Sequence, residues 1–571
     1  LEQDYKEEEN VTTVWVDYQK GVMFNRSHNL YTETEINYNF YHGNQWEGAK
    51  LGDIQPVVQN IIKPIVKYKL GVIIQNHYEI VFNPNIYDTY EEGQTLEQIC
   101  KVLNSHMAKV WEIQKADQKV REASKDACIN SEGIIHTYFD EENIVEVIDK
   151  NNVYYGNENS SDIQSQPYII IAYRQPVSQV REEAKKLGIE DTKIKLILPD
   201  SEVQEQAGYT GITDEVNPMC LVLLKYYKEN GKVFYTKATK CVELEKEKPT
   251  GMNLYPIAHF VWEEKKGSSR GIGAVNCVIP NQIEINKIDA RRALAVKIGA
   301  FQKLVYNQDL VANAKELTKV GGAIAIKGGA TVDDVRKAIG YIYPTSMSSD
   351  AGNLSAEMKT NTRDLEGAGD TATGNIDPTQ ASGKAILAVQ QASQQPLGEQ
   401  VENYKCFVED LARIWFDMWK SYEVNGMNIM YEQKDADGNI VQEPGIISYE
   451  MLQQLEPRIK VDITPRSSYD KFAQEQSLEN LFMSDKITFE EYVDSLPADA
   501  VMPKATLEKI VTRRKENQQR LTQMQMEANQ LSSAMNQVMQ LQGGGENEMS
   551  SMPIGGNDGQ GSQEQPNEIA M

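Results

Sequence analysis

The sequence predicts an α+β protein in which helices and strands are segregated along the chain. Three observations carry this. A block from Gly133 to about Trp262 is rich in β-branched and aromatic residues and broken by turn signals. Apolar residues recur every three or four positions on both sides of that block. A last periodic stretch, about 505–541, repeats at heptad spacing before the composition gives way to Gly, Asn, Gln and Ser.

Residues 11–24 and 30–42 read as short helices, the second running into FYHGNQWEG. Residues 55–76, QPVVQNIIKPIVKYKLGVIIQN, predict a helix interrupted at Pro64, which lacks a backbone donor. A long helix is expected from about Leu96 to Asn130, with Leu96, Ile99, Leu103, Met107 and Val110 on one face. GIIHTYFD, NIVEVID, YIIIAYRQP and LVLLKYYKENGKVFYTKATKCVEL then read as strands. Asn230-Gly231 falls between two of them, where a tight hairpin needs φ > 0 twice. A charged helical insertion is expected at about 178–187.

Ile279, Ile283, Ala290, Leu294, Phe301 and Val305 return the chain to helix over 276–306, about 46 Å long, with Pro280 in its first two turns. A glycine-rich β segment follows at 308–345. Ser348 or Ser349 can cap a helix to about Glu366, stopped by Gly367 and Gly369. Helices are expected from Ser382 to Gln395 and, past Pro396, from 397 to about 423. Residues 426–470 read as strands and turns, DADGN being a turn, and Thr488 with Glu491 fits a capping box. The last helix carries Leu507, Ile510, Arg514, Asn517, Leu521, Met524, Ala528, Leu531, Met535 and Val538 on a heptad seam that Arg514 and Asn517 break. Residues 542–571 read as a disordered tail.

The chain has 571 residues with 58 Lys+Arg against 83 Asp+Glu, a formal net charge of −25. That balance argues against a protein that grips nucleic acid mainly through basic patches, because such binding runs on Lys/Arg–phosphate contacts. It is compatible with a protein that handles DNA without holding it. The six cysteines (Cys100, Cys128, Cys220, Cys241, Cys277, Cys406) and six histidines are dispersed and form no metal knuckle, so reduced thiols and no zinc site are expected. No run of about 18 apolar residues suggests a membrane span. The acidic LEQDYKEEEN lacks the apolar core of a signal peptide, and a start at Leu1 leads us to expect that the numbering begins inside the translated chain.

One stretch tests for a nucleotide site: TGNIDPTQASGKAILAVQQAS, Thr373–Ser393. A phosphate-binding loop needs G-x-x-x-x-G-K-[ST] after a strand. With Gly383-Lys384 in place, the first glycine position holds Pro378 and the hydroxyl position holds Ala385. The segment also follows a helix. An ATP site is therefore not expected; a Gly/Pro/Thr loop leading into a helix capped by Thr379 or Ser382 is. Lys384, Arg291, Arg292 and Lys297 could each meet phosphates, but a solvated helix face is the favoured reading of all four. Asp333 and Asp334 are neighbours without further ligands, and Trp415 and Trp419, at i and i+4, read as core. No catalytic set emerges from spacing, and neither an enzyme nor a cofactor is expected.

The order of FYHGNQW (40–46), VVQNIIKPIVKYKLGVIIQN (57–76), RGIGAVNCVIPNQIEINKIDARRALAVK (270–297), GNIDPTQASGKAILAVQQAS (374–393) and ITFEEYVDSLP (487–497), followed by the heptad helix, resembles the portal proteins of tailed bacteriophages. The resemblance spans about 11–541. It implies a ring, usually of twelve subunits, at one capsid vertex. It also implies a portal fold with a mixed α/β wing, a two-helix stem, a small β-containing clip and a helical crown. Carried onto this chain, the wing is 1–270 (β-rich from about 131) plus 396–485, and the first stem helix is 271–306. The clip is 307–345, its strands pairing between subunits, and the second stem helix is 346–369. A tunnel loop and helix occupy 370–395, crown helices 486–541 and the tail 542–571. The loop 370–381 then becomes a hoop around passing DNA, with Asp370, Thr371, Thr373, Gly374, Asn375, Asp377, Pro378 and Thr379, and Lys384 just beyond, as its candidate DNA-facing residues. Arg291, Arg292 and Lys297 become stem candidates.

The function so implied is a conduit for double-stranded DNA in packaging and ejection, a nucleator of head assembly, and a docking ring for terminase and for head–tail adaptor proteins. Major capsid and scaffolding proteins are further expected partners. The expected location is the virion, after synthesis in the host bacterial cytoplasm, with no membrane. The acidic balance fits a tunnel wall that repels phosphates so that DNA slides. The competing readings are another virion structural protein, such as a scaffold or adaptor, and a packaging ATPase, which would need the absent phosphate loop.

Overall fold

Among the described residues helix outweighs strand, about 53% to 20%, and every strand pair is antiparallel, so the class is α+β rather than parallel α/β. The structure is a computed structural model that describes residues 2–52, 54–75, 77–84, 90–140, 142–200, 218–300, 303–328, 331–342, 350–369, 395–434, 440–464, 477–484, 486–496 and 504–542. The chain divides into two units, 1–467 and 468–571.

In the first unit, α1 (Glu2–Ser27) is longer than expected and α2 (Leu30–His42) ends at Gly43 in a left-handed cap (φ 96°). Helix α3 (Ile62–Gln75) corrects the expectation at Pro64. Residues 55–61 are not helical, and Pro64 lies in the first turn, where no backbone donor is needed, so it opens the helix instead of interrupting it. Strand β1 (His77–Asn83) follows. The helix expected over 96–130 is two helices, α4 (Tyr90–Ile113) and α5 (Ala116–Asn130), broken where Lys115 takes a left-handed conformation (φ 51°). Both halves keep an apolar face at helical spacing, so the sequence shows no gap there.

The β block holds β2 (Glu132–Asp140), β3 (Glu142–Ile148), β4 (Val153–Tyr155), β5 (Tyr168–Pro176), β6 (Met219–Glu229), β7 (Lys232–Ala238), β8 (Glu243–Pro249) and β9 (Ile257–Val261). They form a three-stranded sheet, β3-β2-β9, and a five-stranded sheet, β4-β5-β6-β7-β8. Asn230 (φ 51°) and Gly231 (φ 81°) make the two-residue hairpin expected of them, with Glu229 opposite Lys232. Helices α6 (Val177–Lys186) and α7 (Asp191–Ile194) are inserted after β5.

Helix α8 (Ala274–Ala300) stops short of the expected 306. Leu304 and Val305 lie instead on β10 (Lys303–Tyr306), which pairs with β11 (Ile339–Ile342) inside one chain. A short helix, α9 (Val332–Ala338), lies just before β11, its first turn closed by Thr331 against Asp334. Helix α10 (Asp350–Leu365) ends at Gly367 (φ 70°). Helix α11 (Gly398–Tyr422) leads to the hairpin β12 (Met427–Lys434) and β13 (Ile440–Ile447), an unexpected helix α12 (Tyr449–Gln454) capped by Ser448, and β14 (Arg458–Thr464). Strand β14 pairs with the distant β1. Trp415 and Trp419 are core residues, 0% and 2% exposed, and Trp111 lies 5.2 Å from Trp415.

In the second unit, Thr488 and Glu491 form the expected capping box at the head of α13 (Phe489–Ser495), and α14 runs Lys504–Gln542. The proposed caps Ser348 and Ser349, the loop and helix 370–394, DADGN (435–439) and the tail 543–571 lie outside the described residues.

Candidate functional site

The out-and-back segment α8–β10–β11–α10 is the part of the molecule that the resemblance assigns to a stem and clip, and its anchorage begins before α8. Residues 129–133 and 261–273 approach so closely that side chains cannot be fitted between them. A Cβ on Gly273 would sit 2.8 Å from the Ile129 carbonyl oxygen and 2.9 Å from the Ser131 amide nitrogen, and one on Gly271 3.3 Å from the Ser131 carbonyl oxygen. Into this seam the chain places Arg270, 6% exposed. Its guanidinium donates from Nε and Nη2 to the two oxygens of Glu158 (both 3.1 Å), from Nη1 to Glu132 Oε2 (3.2 Å) and from Nη2 to the Val153 carbonyl (3.1 Å). It also lies 4.7 Å from the Tyr155 ring centroid.

Glu132, 2% exposed, shares Oε2 with His259 Nε2 at 3.2 Å, and Lys150 donates to the Asn130 carbonyl at 2.6 Å. Burial alone would raise the Glu132 carboxyl; Arg270, His259 and Lys150 outweigh it and hold the group at about 2. The same burial pushes the Lys150 ammonium below its ordinary range. This knot ties β2, the turn before β4 and the chain entering α8 into one block.

Helix α8 then packs through the buried Val275, Val278 and Ile285 and through a run of polar contacts. Gln282, fully buried, accepts from the Ile61 amide (2.9 Å) and donates to the Gln59 carbonyl (3.0 Å) and to Asn286 (2.9 Å); Asn286 donates to Gln45 (2.7 Å). Against α10, Asn281 donates to Thr362 (3.1 Å), and Asp289 accepts from Ser355 and from Lys359 (both 2.7 Å). Lys359 also reaches Gln59, and Lys69 pairs with Glu366 at 2.5 Å. Each partner pair moves up α8 as it moves down α10, so the helices are antiparallel. Directional contacts of this kind fix one register, where an apolar seam would tolerate sliding.

Past Ala290 the cover ends. Val296 is 72% exposed and Ile298 48%, and Val305, Tyr341 and Ile342 of the hairpin are also exposed. Arg291, Arg292 and Lys297 lie on this bare half, all exposed. At about 100° per residue they point to different sides of the helix, so the structure does not gather them into one stripe. Arg292 is 3.9 Å from Asp289. The remaining candidates, Asp370, Thr371, Thr373, Gly374, Asn375, Asp377, Pro378, Thr379 and Lys384, lie outside the described residues. Sequence reasoning missed Glu132, Lys150, Glu158 and His259, which are spread over more than a hundred positions; the only signal was Arg270, at the head of a stretch already singled out as one unit.

The sequence profile of the phage P22-like portal protein family matches residues 23–167 and 177–549. No curated protein matches the chain.

Proposed function

The chain belongs to the phage P22-like portal protein family, and from that premise we propose that it forms the ring through which double-stranded DNA enters and leaves the phage head. Portal proteins are structural; the chain is not an enzyme, and the family implies an oligomeric ring. No helix among the described residues is long and apolar enough to cross a membrane.

The observation that carries the reading is the bare outer half of α8 with its hairpin. A segment held in one register at its base, yet exposing Val296, Ile298, Tyr341 and Ile342, is built to be covered by further copies of itself. In this reading α8 and α10 form the stem and β10–β11 the clip. Residues 1–270 with 396–485 make the wing and α14 the crown, and the ring has about twelve subunits, the number usual in portals. Its place is one capsid vertex, where it would nucleate head assembly with capsid and scaffolding proteins and dock terminase and later the adaptor. The loop 370–381 would encircle DNA by steric contact, Thr371, Thr373 and Asn375 touching the duplex without reading bases.

Mass measurement of the native particle with negative-stain imaging tests this. Closed rings with a central hole are expected; a stable, folded monomer at micromolar concentration would overturn it. Removing Gly374–Asp377 should leave rings intact and reduce the genome length per particle. Loss of rings would make the loop an assembly element.

A further inference from the structure

We propose that the first half of α14 carries a cationic stripe that binds the phosphates of duplex DNA, a contact that rests on the conduit reading above and adds a grip to a chain otherwise built to repel DNA. Charge is strongly segregated on this helix. Residues 504–520 hold six Lys or Arg (Lys504, Lys509, Arg513, Arg514, Lys515, Arg520) against Glu508 and Glu516, in a chain whose net charge is −25. From 521 to 542 Glu527 is the only charged residue.

The structure sorts these cations by face. Leu507, 7% exposed, and Val511 pack against α13, and the Arg514 guanidinium lies 4.9 Å from the Phe489 ring centroid. Arg514 therefore interrupts the heptad seam because it is used inside the chain, stacked on the capped helix. On the opposite side stand Lys509, Arg513 and Arg520, all exposed. At about 100° and 1.5 Å per residue they fall within about 40° of arc and along about 16 Å of the axis, in a line that can follow a phosphate backbone. Among the residues whose side chains are described, no ion pair joins any of the three to an acid. Three exposed like charges in a row repel one another, and a polyanion relieves that repulsion while releasing its own counterions. Duplex DNA is the occupant that charge complementarity and the proposed conduit both favour.

The test uses the full-length chain as assembled. Affinity for a 30-base-pair duplex is measured at several salt concentrations for the wild type, for Lys509→Gln/Arg513→Gln/Arg520→Gln, and for the charge-preserving Lys509→Arg/Arg513→Lys/Arg520→Lys. The neutral triple should lose at least about tenfold in affinity at low salt, and its log–log salt slope should fall by about 2–3, because each lost phosphate contact removes about 0.9. The charge-preserving triple should bind within about twofold of wild type, and imaging should show the same rings for all three. Rings whose DNA affinity ignores the neutral triple, or which bind no DNA, overturn the stripe and leave the conduit standing. Equal loss in both triples overturns it as a charge effect. Polyglutamate bound as tightly as DNA reassigns the stripe to an acidic protein and overturns it as a DNA contact. A wild-type chain that makes no ring overturns the conduit reading and the stripe with it.

Discussion

Helices α8 and α11 are nearly equal in length, 27 and 25 residues, yet they are completed differently. Helix α11 buries Tyr404, Phe407, Leu411, Trp415 and Trp419 within its own chain, and its apolar face is finished there. Helix α8 buries Gln282, Asn286 and Asp289 where it leaves the base, then runs bare through Val296 and Ile298. The contrast separates two uses of a helix. One maximises the stability of the subunit. The other buries Val275, Val278 and Ile285 near its start, fixes its position with directional contacts, and leaves the apolar side chains of its far half exposed.

Breaking the finished helix should have the largest effect. Trp415→Ala removes a fully buried indole that donates to Thr137 at 3.1 Å, and should cost about 3–5 kcal/mol, read as a lower urea midpoint. Arg270→Ala attacks the base of the bare helix. It leaves Glu132 and Glu158 without their shared cation, and about 3–5 kcal/mol should be lost, at or just below the tryptophan effect. A loss below about 1 kcal/mol in that variant would mean that the knot is not what holds the base.

Acid should destabilise the region packed against α11 before it disturbs the bare half of α8. Burial lowers His136 and His106 to about 4, from an unfolded value near 6.5. The unfolded chain therefore binds protons first, and the stability due to each neutral ring is full above about 6.5 and lost as pH falls to about 4, on the order of 3 kcal/mol each. Asp126, raised to about 6 by burial, works the other way and offsets part of this. Glu132 adds its own loss between about 4.5 and 2. His136→Gln should flatten the stability profile between pH 6.5 and 4; an unchanged slope would exclude that ring as the cause.

Smaller effects sharpen the comparison at α8. Ser355→Ala removes one donor to the buried Asp289 and should cost about 1.5–3 kcal/mol, with rings retained. Val296→Asp should change subunit stability by less than about 0.5 kcal/mol, because the position is 72% exposed, while abolishing rings. Intact rings in that variant would show that the bare half faces no neighbour.

Much of the fold was legible because it is locally determined. The Asn230-Gly231 hairpin, helix α2, the Thr488–Glu491 box and the stop at Gly367 each follow from a few adjacent residues. The failures were also local in origin. Lys115 breaks a helix without glycine or proline to announce it, Pro64 can open a helix as readily as interrupt one, and Val305 fits a helical spacing while lying in a strand. The site was less legible. Glu132 and Arg270 meet across 138 positions, and Gln45, Gln59, Gln282 and Asn286 come together only through tertiary packing, which no periodicity encodes.

The out-and-back segment keeps one register at every level where both arms are described. Asn281 faces Thr362, Asp289 faces Ser355, Arg292 lies beside Gly352 and Lys303 pairs with Ile342. Length added to one arm must therefore be matched in the other, or every contact beyond the insertion falls out of step. Divergence among relatives should accordingly be recorded here as paired insertions of whole helical turns. The stretch beyond Asp289, returning at Ser355, could also be inherited or transplanted as a cassette, with the base it plugs into left unaltered.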